Sequence, residues 1–244
     1  MKKIFYFVIL ITISQTTFAQ NLDSYFSLTN TFMDKFVHDG KVNYDAIKKN
    51  PNALEDLLEI AANMDLSKKN SNTTKAFWIN TYNICVIKGI VNKYPVKSPL
   101  DISGFFDKIV YKIANKKVTI NYIENKMLRA NDDDARIHFV LVCGANGCPQ
   151  IIDKAYFPDT LDEQLNKQTK LALNNPNFVK VNNETKKVLI SQIFEWYKED
   201  FVSKNSKEID FINKFRTEKI SSSFKLGYYT YDWSLNKKTV PLIN

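Results

Sequence analysis

Lys75-Ala-Phe-Trp-Ile-Asn-Thr-Tyr-Asn-Ile-Cys-Val-Ile-Lys-Gly-Ile-Val-Asn-Lys-Tyr94 is the longest periodic segment of this 244-residue chain. Its apolar residues, from Phe77, Trp78 and Ile79 through Ile84, Val86 and Ile87 to Ile90 and Val91, run nearly all the way round a helix. A helix that is apolar on every side belongs at the centre of a fold. Pro95 disfavours helical geometry at the residue before it and ends the segment. Asn80 and Asn83 break the apolar pattern. Buried amides need hydrogen-bond partners, so both are expected to pin neighbouring loops or to donate to an oxyanion, with Trp78 as a third supporting residue. Cys85, inside the same helix, reads as packing.

Working outward, residues Asn21 to His38 carry apolar side chains at helical spacing, and Asp39-Gly40 makes a turn into a short extended piece at Val42-Asn43-Tyr44. Asn52 to Asn63 is a second amphipathic helix with Pro51 at its start. Ile109 to Ile113 and Val118 to Ile120 read as a hairpin, followed by a short helix over Asn121 to Ala130. Thr160 to Leu173 is helical. Phe178 to Val181 and Lys187 to Ile190 form a second hairpin. Ile193 to Phe201 and Glu208 to Phe215 are helical, and Tyr228 to Trp233 is a late aromatic strand. No repeat and no long linker interrupts the chain, so the reading is one α+β domain over residues 20–244.

The run Arg136-Ile-His-Phe-Val-Leu-Val-Cys-Gly-Ala-Asn-Gly-Cys-Pro149 holds one of the two histidines and two of the three cysteines. Arg136 to Cys143 is nearly continuous apolar sequence, which points to a strand covered on both faces. On a regular strand His138 shares a face with Val140 and Val142, and Cys143 points the other way unless a bulge intervenes.

Composition bounds the function. Lys2 and Lys3 precede an apolar stretch, Ile4 to Ile13, that is too short to span a bilayer, and Thr17-Phe-Ala19 is a small-x-small cleavage site. Residues 1–19 therefore read as a signal peptide, and the product is expected to be exported, periplasmic or secreted, with no membrane span in the mature chain. The net charge of +8 is spread over single lysines and short pairs rather than a basic stripe interleaved with aromatics, so no nucleic-acid partner is expected. A hydrophobic fraction of 44% supports a full core without disulfide staples.

A thiol and an imidazole this close in sequence are the minimum for thiolate catalysis. Pro149 favours a first helical position, which puts Cys148 at the N-cap of a short turn, where the helix dipole and a neighbouring imidazolium lower a thiol pKa. Cys148 is thus the expected nucleophile and His138 its base, with Cys143 as the alternative nucleophile. Backbone N–H groups near Gly147 and Cys148 are candidates for an oxyanion site. Glu124 is the best acidic candidate to orient the imidazole, although Asn121-x-x-Glu124 also matches a capping box, and Asn80 and Asn83 compete for the role. Two rival readings use the same residues. In the oxidising conditions outside the cytoplasm Cys143 and Cys148 are a natural disulfide pair. A metal clip from His138, Cys143 and Cys148 lacks a fourth ligand and the usual zinc spacing, so no metal and no cofactor is assigned.

Phe77-Trp-Ile-Asn-Thr-Tyr-Asn83, Asn121-Tyr-Ile-Glu-Asn-Lys-Met-Leu-Arg129, Arg136-Ile-His-Phe139 with Cys143-Gly-Ala-x-x-Cys-Pro149, Trp196-Tyr-Lys-Glu-Asp-Phe201 and Tyr231-Asp-Trp-Ser-Leu-Asn236 together resemble the family of domain of unknown function 547. The resemblance implies a fold similar to the papain-like and transglutaminase-like cysteine hydrolases, in direct or permuted chain order, with a central antiparallel sheet beside the long buried helix. It implies a Glu-His-Cys set at Glu124, His138 and one of Cys143 or Cys148. Members of that family often have Ser where this chain has Gly147, which here leaves the backbone free for close approach.

The expected function is that of an exported thiol-dependent hydrolase or acyl transferase acting on an amide, with a peptide or another amide-containing molecule as substrate. The alternative is a non-catalytic binding module on the same scaffold, with Cys143 and Cys148 in a disulfide. The sequence does not set the oligomeric state.

Overall fold

The computed structural model describes residues 22–131, 133–202 and 206–238. The expected signal peptide, residues 1–19, lies outside the described residues. Helix α1 covers residues 22–36. The antiparallel pair β1 (Val37–His38) and β2 (Lys41–Val42) turns through Asp39-Gly40, both at positive φ. The extended piece expected over Val42 to Tyr44 ends at Val42 in β2, and helix α2 (Tyr44–Lys49) follows, because the Asn43 side chain accepts from Ala46 N–H and caps a new helix start. Helix α3 (Asn52–Ala62) begins after Pro51, as expected.

Helix α4 (Ser71–Lys93) is the predicted buried helix, longer by one turn at its start because Asn70 caps it through Thr73 N–H. Sixteen of its residues are buried, from Thr73 to Val91, so it is enclosed on all sides. Strands β3 (Tyr111–Ile113) and β4 (Lys116–Val118) form the first expected hairpin with its second strand two residues earlier than expected, because Ala114 and Asn115, both at positive φ, close a two-residue turn. That turn docks on the end of α3, where Ala114 N–H and Asn115 N–H bond the carbonyls of Ala61 and Ala62. The expected helix after it starts at Thr119, whose hydroxyl caps α5 (Ile120–Tyr122) through Tyr122 N–H. It widens at once into a π-helical stretch, Ile123–Leu128, and ends in a 3₁₀ turn, Arg129–Asn131.

Helix α6 (Leu161–Asn174) and the hairpin β5 (Val179–Asn182) and β6 (Lys187–Ser191) fall where predicted. The predicted helix from Ile193 is split at Tyr197 into α7 (Ile193–Trp196) and α8 (Lys198–Phe201). Helix α9 (Glu208–Phe215) leads to β7 (Lys225–Tyr229), which pairs parallel to β6. The aromatic strand expected over Tyr228 to Trp233 is thus shifted toward the N-terminus, and Thr230 to Trp233 leave the sheet.

Two expectations are corrected. Arg136 to Cys143 is not a strand. Asp134 accepts from Arg136 N–H and caps a 3₁₀ helix, Ala135–Phe139, and the segment then runs extended without a strand partner. A continuous apolar run is compatible with full burial in any backbone, and here burial comes from α4 and α6 rather than from neighbouring strands. There is accordingly no central antiparallel sheet among the described residues. The sheets have two, two and three strands, and the largest is mixed. The fold is mixed α and β, with helix dominant and the sheets small.

Hydrophobic side chains form two clusters. The first surrounds α4 and includes α1 to α3. The second gathers β5, β6, α9 and an aromatic knot of Phe139, Phe178, Phe194, Phe201 and Phe211. Cys148 packs against both. No helix of the described residues is long and apolar enough to cross a membrane.

Candidate active site

Asn83 fixes the segment that carries the site. Its side-chain amide donates to Val140 C=O at 2.9 Å and accepts from Val142 N–H at 2.9 Å. One carboxamide therefore gives this extended piece the donor and acceptor that a neighbouring strand would have given. Asn80 does the same one turn earlier, donating to Tyr156 C=O at 2.8 Å and accepting from Tyr156 N–H at 2.9 Å. Both amides serve as backbone pins, and neither is among the residues lining the cavity that receives His138 and Cys148. Trp78 lines a separate cavity of about 590 Å³ with Lys75 and Met127.

After Val142 the chain turns sharply. Gly144 has φ +85°, and an added Cβ there would stand 2.5 Å from Ile90 Cδ1, so the turn requires glycine. Ala145 to Cys148 forms a tight turn closed by Cys148 N–H to Ala145 C=O at 3.3 Å. Gly147 N–H bonds Asp232 C=O at 2.8 Å, and a Cβ on Gly147 would meet Asp232 N at 2.9 Å. The close backbone approach expected at Gly147 is there, and it is made to the C-terminal segment. Two local expectations fail. No helix follows Pro149, so Cys148 is not at a helix N-cap, and the N–H groups of Gly147 and Cys148 are already engaged.

The turn brings Cys148 back beside Cys143, and the two sulfurs form a disulfide. Cys148 Sγ accepts from Cys143 N–H at 3.0 Å and from Tyr231 O–H at 2.9 Å. The Tyr231 hydroxyl also lies 3.1 Å from Cys143 Sγ. Burial pushes the Tyr231 phenol well above its ordinary range, so it stays protonated and remains a donor. Cys85 is free and fully buried, and burial pushes its thiol up as well.

His138, on the 3₁₀ helix, is buried. Its Nε2 lies 2.6 Å from Asp200 Oδ2. Its ring packs on Tyr197 at 4.2 Å and on Phe201 at 5.2 Å between centroids. Asp200 also receives a two-pronged contact from Arg129, Nε to Oδ2 at 2.7 Å and Nη2 to Oδ1 at 2.8 Å. Burial works against the Asp200 charge, but the bonds from His138 and Arg129 outweigh it and hold the carboxyl well below the usual range. Asp200 therefore stays ionised and orients the imidazole, the part expected of Glu124. Asp200 stands inside Trp196-Tyr-Lys-Glu-Asp-Phe201, a patch singled out in the sequence, but it lies 62 residues from His138 and carries no local signal of the pairing.

Glu124 sits in the π-helical stretch, a distortion that often marks a working site. It is buried, and Tyr82 O–H donates to its Oε2 at 3.3 Å. Burial and the Glu124 charge push the Tyr82 phenol far up, and the same two causes raise Tyr197. The capping box with Asn121 is not formed, since the cap is Thr119.

Glu124, His138, Cys143 and Cys148 nevertheless line one cavity of about 250 Å³. The 3₁₀ helix resets the parity expected of a strand, which is why His138 and Cys143 reach the same space. Tyr82 and Leu141 from the first cluster meet Ile193 and Tyr231 from the second, so the cavity lies on the seam between the two cores. Trp196, Tyr231 and Trp233 pack together at its edge, with centroid separations of 4.8 to 5.9 Å. Cys148 also lines a second cavity of about 500 Å³. With the disulfide reduced, a thiol, an imidazole fixed by a carboxylate, and a phenol donor would face a common space, the arrangement acyl transfer needs.

No curated protein and no solved structure matches the chain. The family model described as protein of unknown function, DUF547, matches residues 66–171, which include α4, the π-helical stretch with Glu124, His138 and both cysteines. The match takes in three of the motifs on which the resemblance was read, Phe77–Asn83, Asn121–Arg129 and Arg136–Pro149, and the chain is similar to the DUF547 family over residues 66–171.

Proposed function

We propose that the protein is a thiol-dependent hydrolase or acyl transferase acting on an amide. The observation that carries this reading is Cys148 Sγ held by two hydrogen-bond donors, Cys143 N–H and Tyr231 O–H, in the cavity that also receives His138. Donors aimed at a sulfur favour the thiolate. A dithiol first reduces the Cys143–Cys148 disulfide, leaving two thiols and the oxidised reductant. Cys148 gives its proton to His138 and attacks the substrate carbonyl carbon. As the tetrahedral adduct collapses, the C–N bond breaks and the imidazolium protonates the leaving amine. Water or a second amine then takes the acyl group from the thioester. Asp200 keeps the imidazole oriented.

The likeness to papain-like hydrolases belongs to this reading, and its support is the cavity's place on the seam between two hydrophobic clusters. Export belongs to it as well. Its support is the basic start, short apolar run and small-x-small site of residues 1–19, and N-terminal sequencing of the mature product should begin at Gln20.

The test is carbamidomethylation of the reduced, folded protein by iodoacetamide at near-neutral pH. Cys148 should label fastest, and His138→Ala or Asp200→Asn should slow it by about tenfold or more. Uniformly slow labelling of all three cysteines would remove the reading. One observation favours a second reading, a binding module: the disulfide itself. Amide cleavage assayed with and without a dithiol separates the two: activity that appears only on reduction and is lost in Cys148→Ser belongs to the hydrolase, and none in either state belongs to the module.

A further inference from the structure

Glu124 is a buried carboxylate without a salt bridge within 4 Å among the described residues. Its hydrogen bonds come from neutral phenols, Tyr82 and Tyr197. Arg129, which feels the Glu124 carboxylate through space, is forked onto Asp200 and also approaches Glu199 at 3.9 Å. The His138 ring is turned to Asp200 as well. The nearby cations thus make their direct contacts with other carboxylates, and Glu124 stands on the cavity wall without a cation in contact. A desolvated anion with only neutral donors is costly unless a cation joins it.

The rest of that wall is aromatic. Trp196, Trp233, Tyr197, Tyr231 and Phe106 all line it. Electron-rich ring faces attract organic cations, most strongly where water is excluded. A volume of about 250 Å³ holds a side-chain-sized group rather than a whole polymer. Trp196 is 46% exposed, so the mouth is open to solvent.

We propose that this cavity binds an organic ammonium group, with Glu124 supplying the countercharge and the Trp196, Trp233 and Tyr197 rings the walls, so that the amide processed at Cys148 carries a cationic amine on this side of the scissile bond. The binding stands on the cavity alone, and the placement beside the scissile bond rests on the thiol reading above. The larger cavity across Cys148, lined by amides such as Gln150, Gln168, Asn175 and Asn177, takes the remainder of the substrate.

Two measurements test it. First, the reduced full chain is treated with a trimethylammonium-bearing methanethiosulfonate and with its uncharged methyl analogue, and the rate ratio at Cys148 is compared with that on free glutathione. The ratio should exceed the glutathione value by about tenfold, and Glu124→Gln should bring it back. Trp196→Leu, at a solvent-exposed position, should reduce it several-fold and serves if Glu124→Gln does not fold. Second, choline and its uncharged isostere 3,3-dimethylbutan-1-ol are titrated into the Cys148→Ser protein with tryptophan fluorescence as the readout. Choline should bind at least tenfold more tightly. Selective choline binding with an inert thiol would keep the ammonium site and discard the hydrolase. A fast thiol without charge preference, together with equal binding of choline and its isostere, would discard the ammonium site and keep the hydrolase.

Discussion

Asn83 and Asp200 both steady the segment that carries His138 and Cys143, and they do so with different chemistry. Asn83 reaches from α4 with a neutral amide, is buried, and bonds backbone only. Asp200 reaches from α8 with an ionised carboxylate, is partly exposed, and bonds the imidazole and a guanidinium. The same division recurs at the start of the segment, where Asp134 pairs with Lys75 and Arg136. Neutral pins hold the backbone at any ordinary pH. Ionised pins hold the charged and imidazole side chains, with Asp134 taking the Arg136 backbone N–H as well, and their strength follows the proton.

The largest effect that can break this comparison is Asn83→Ala. It leaves Val140 C=O and Val142 N–H without their partner in the core, at about 1 to 3 kcal/mol each, or about 4 kcal/mol together. Urea unfolding should give nearly the same loss at pH 5 and pH 8. A loss below about 1 kcal/mol would mean that the segment is held from elsewhere. The ionised side should fail in acid. Burial opposes the Asp134 charge, but its bonds to Arg136 and Lys75 bring the carboxyl down to about 2. A carboxyl lower in the folded than in the unfolded chain stabilises fully above the unfolded value, near 4, and loses that contribution as the pH falls through the folded value. Stability should therefore drop between about pH 4 and pH 2. Asp134→Asn should remove about 1 to 2 kcal/mol at neutral pH, allowing for partial screening, and flatten part of that acid slope. The smallest effect sharpens the neutral side. Asn70→Ala removes the same kind of amide at the more exposed start of α4 and should cost only about 0.5 to 1 kcal/mol in the same assay. Burial, rather than the amide itself, would then account for the weight of Asn83.

Helix α4 was legible because its apolar pattern closes on itself, and no other element type accommodates that over twenty residues. Both hairpins were legible from their turns. The segment at His138 was misread because an uninterrupted apolar run reports burial and not backbone shape, and the deciding residue, Asp134 as a cap, lies outside the run. The meeting of Glu124, His138, Cys143 and Cys148 in one cavity follows the grouping read from the motifs. Asp200 and Tyr231 were not assigned roles, since their partners lie 62 and 83 residues away and no local spacing encodes such a contact. Asn80 and Asn83 were read for the right reason: an amide amid apolar neighbours must bond something, and the backbone is what lies within reach.

The C-terminal segment fastens the molecule late in synthesis. Asn236 N–H bonds Gly144 C=O, Leu235 N–H bonds Lys97 C=O, and Val42 N–H bonds Asn236 C=O, all within 3.0 Å. Tyr231 touches both sulfurs. A nascent chain thus leaves the ribosome with its helical half ready to collapse but its cavity wall, its sulfur donor and the partner of β6 still unmade. A stop codon or a proteolytic nick near residue 224 would remove under a tenth of the chain and leave an unpaired edge of β6, a product for quality control to clear rather than a slightly shorter protein.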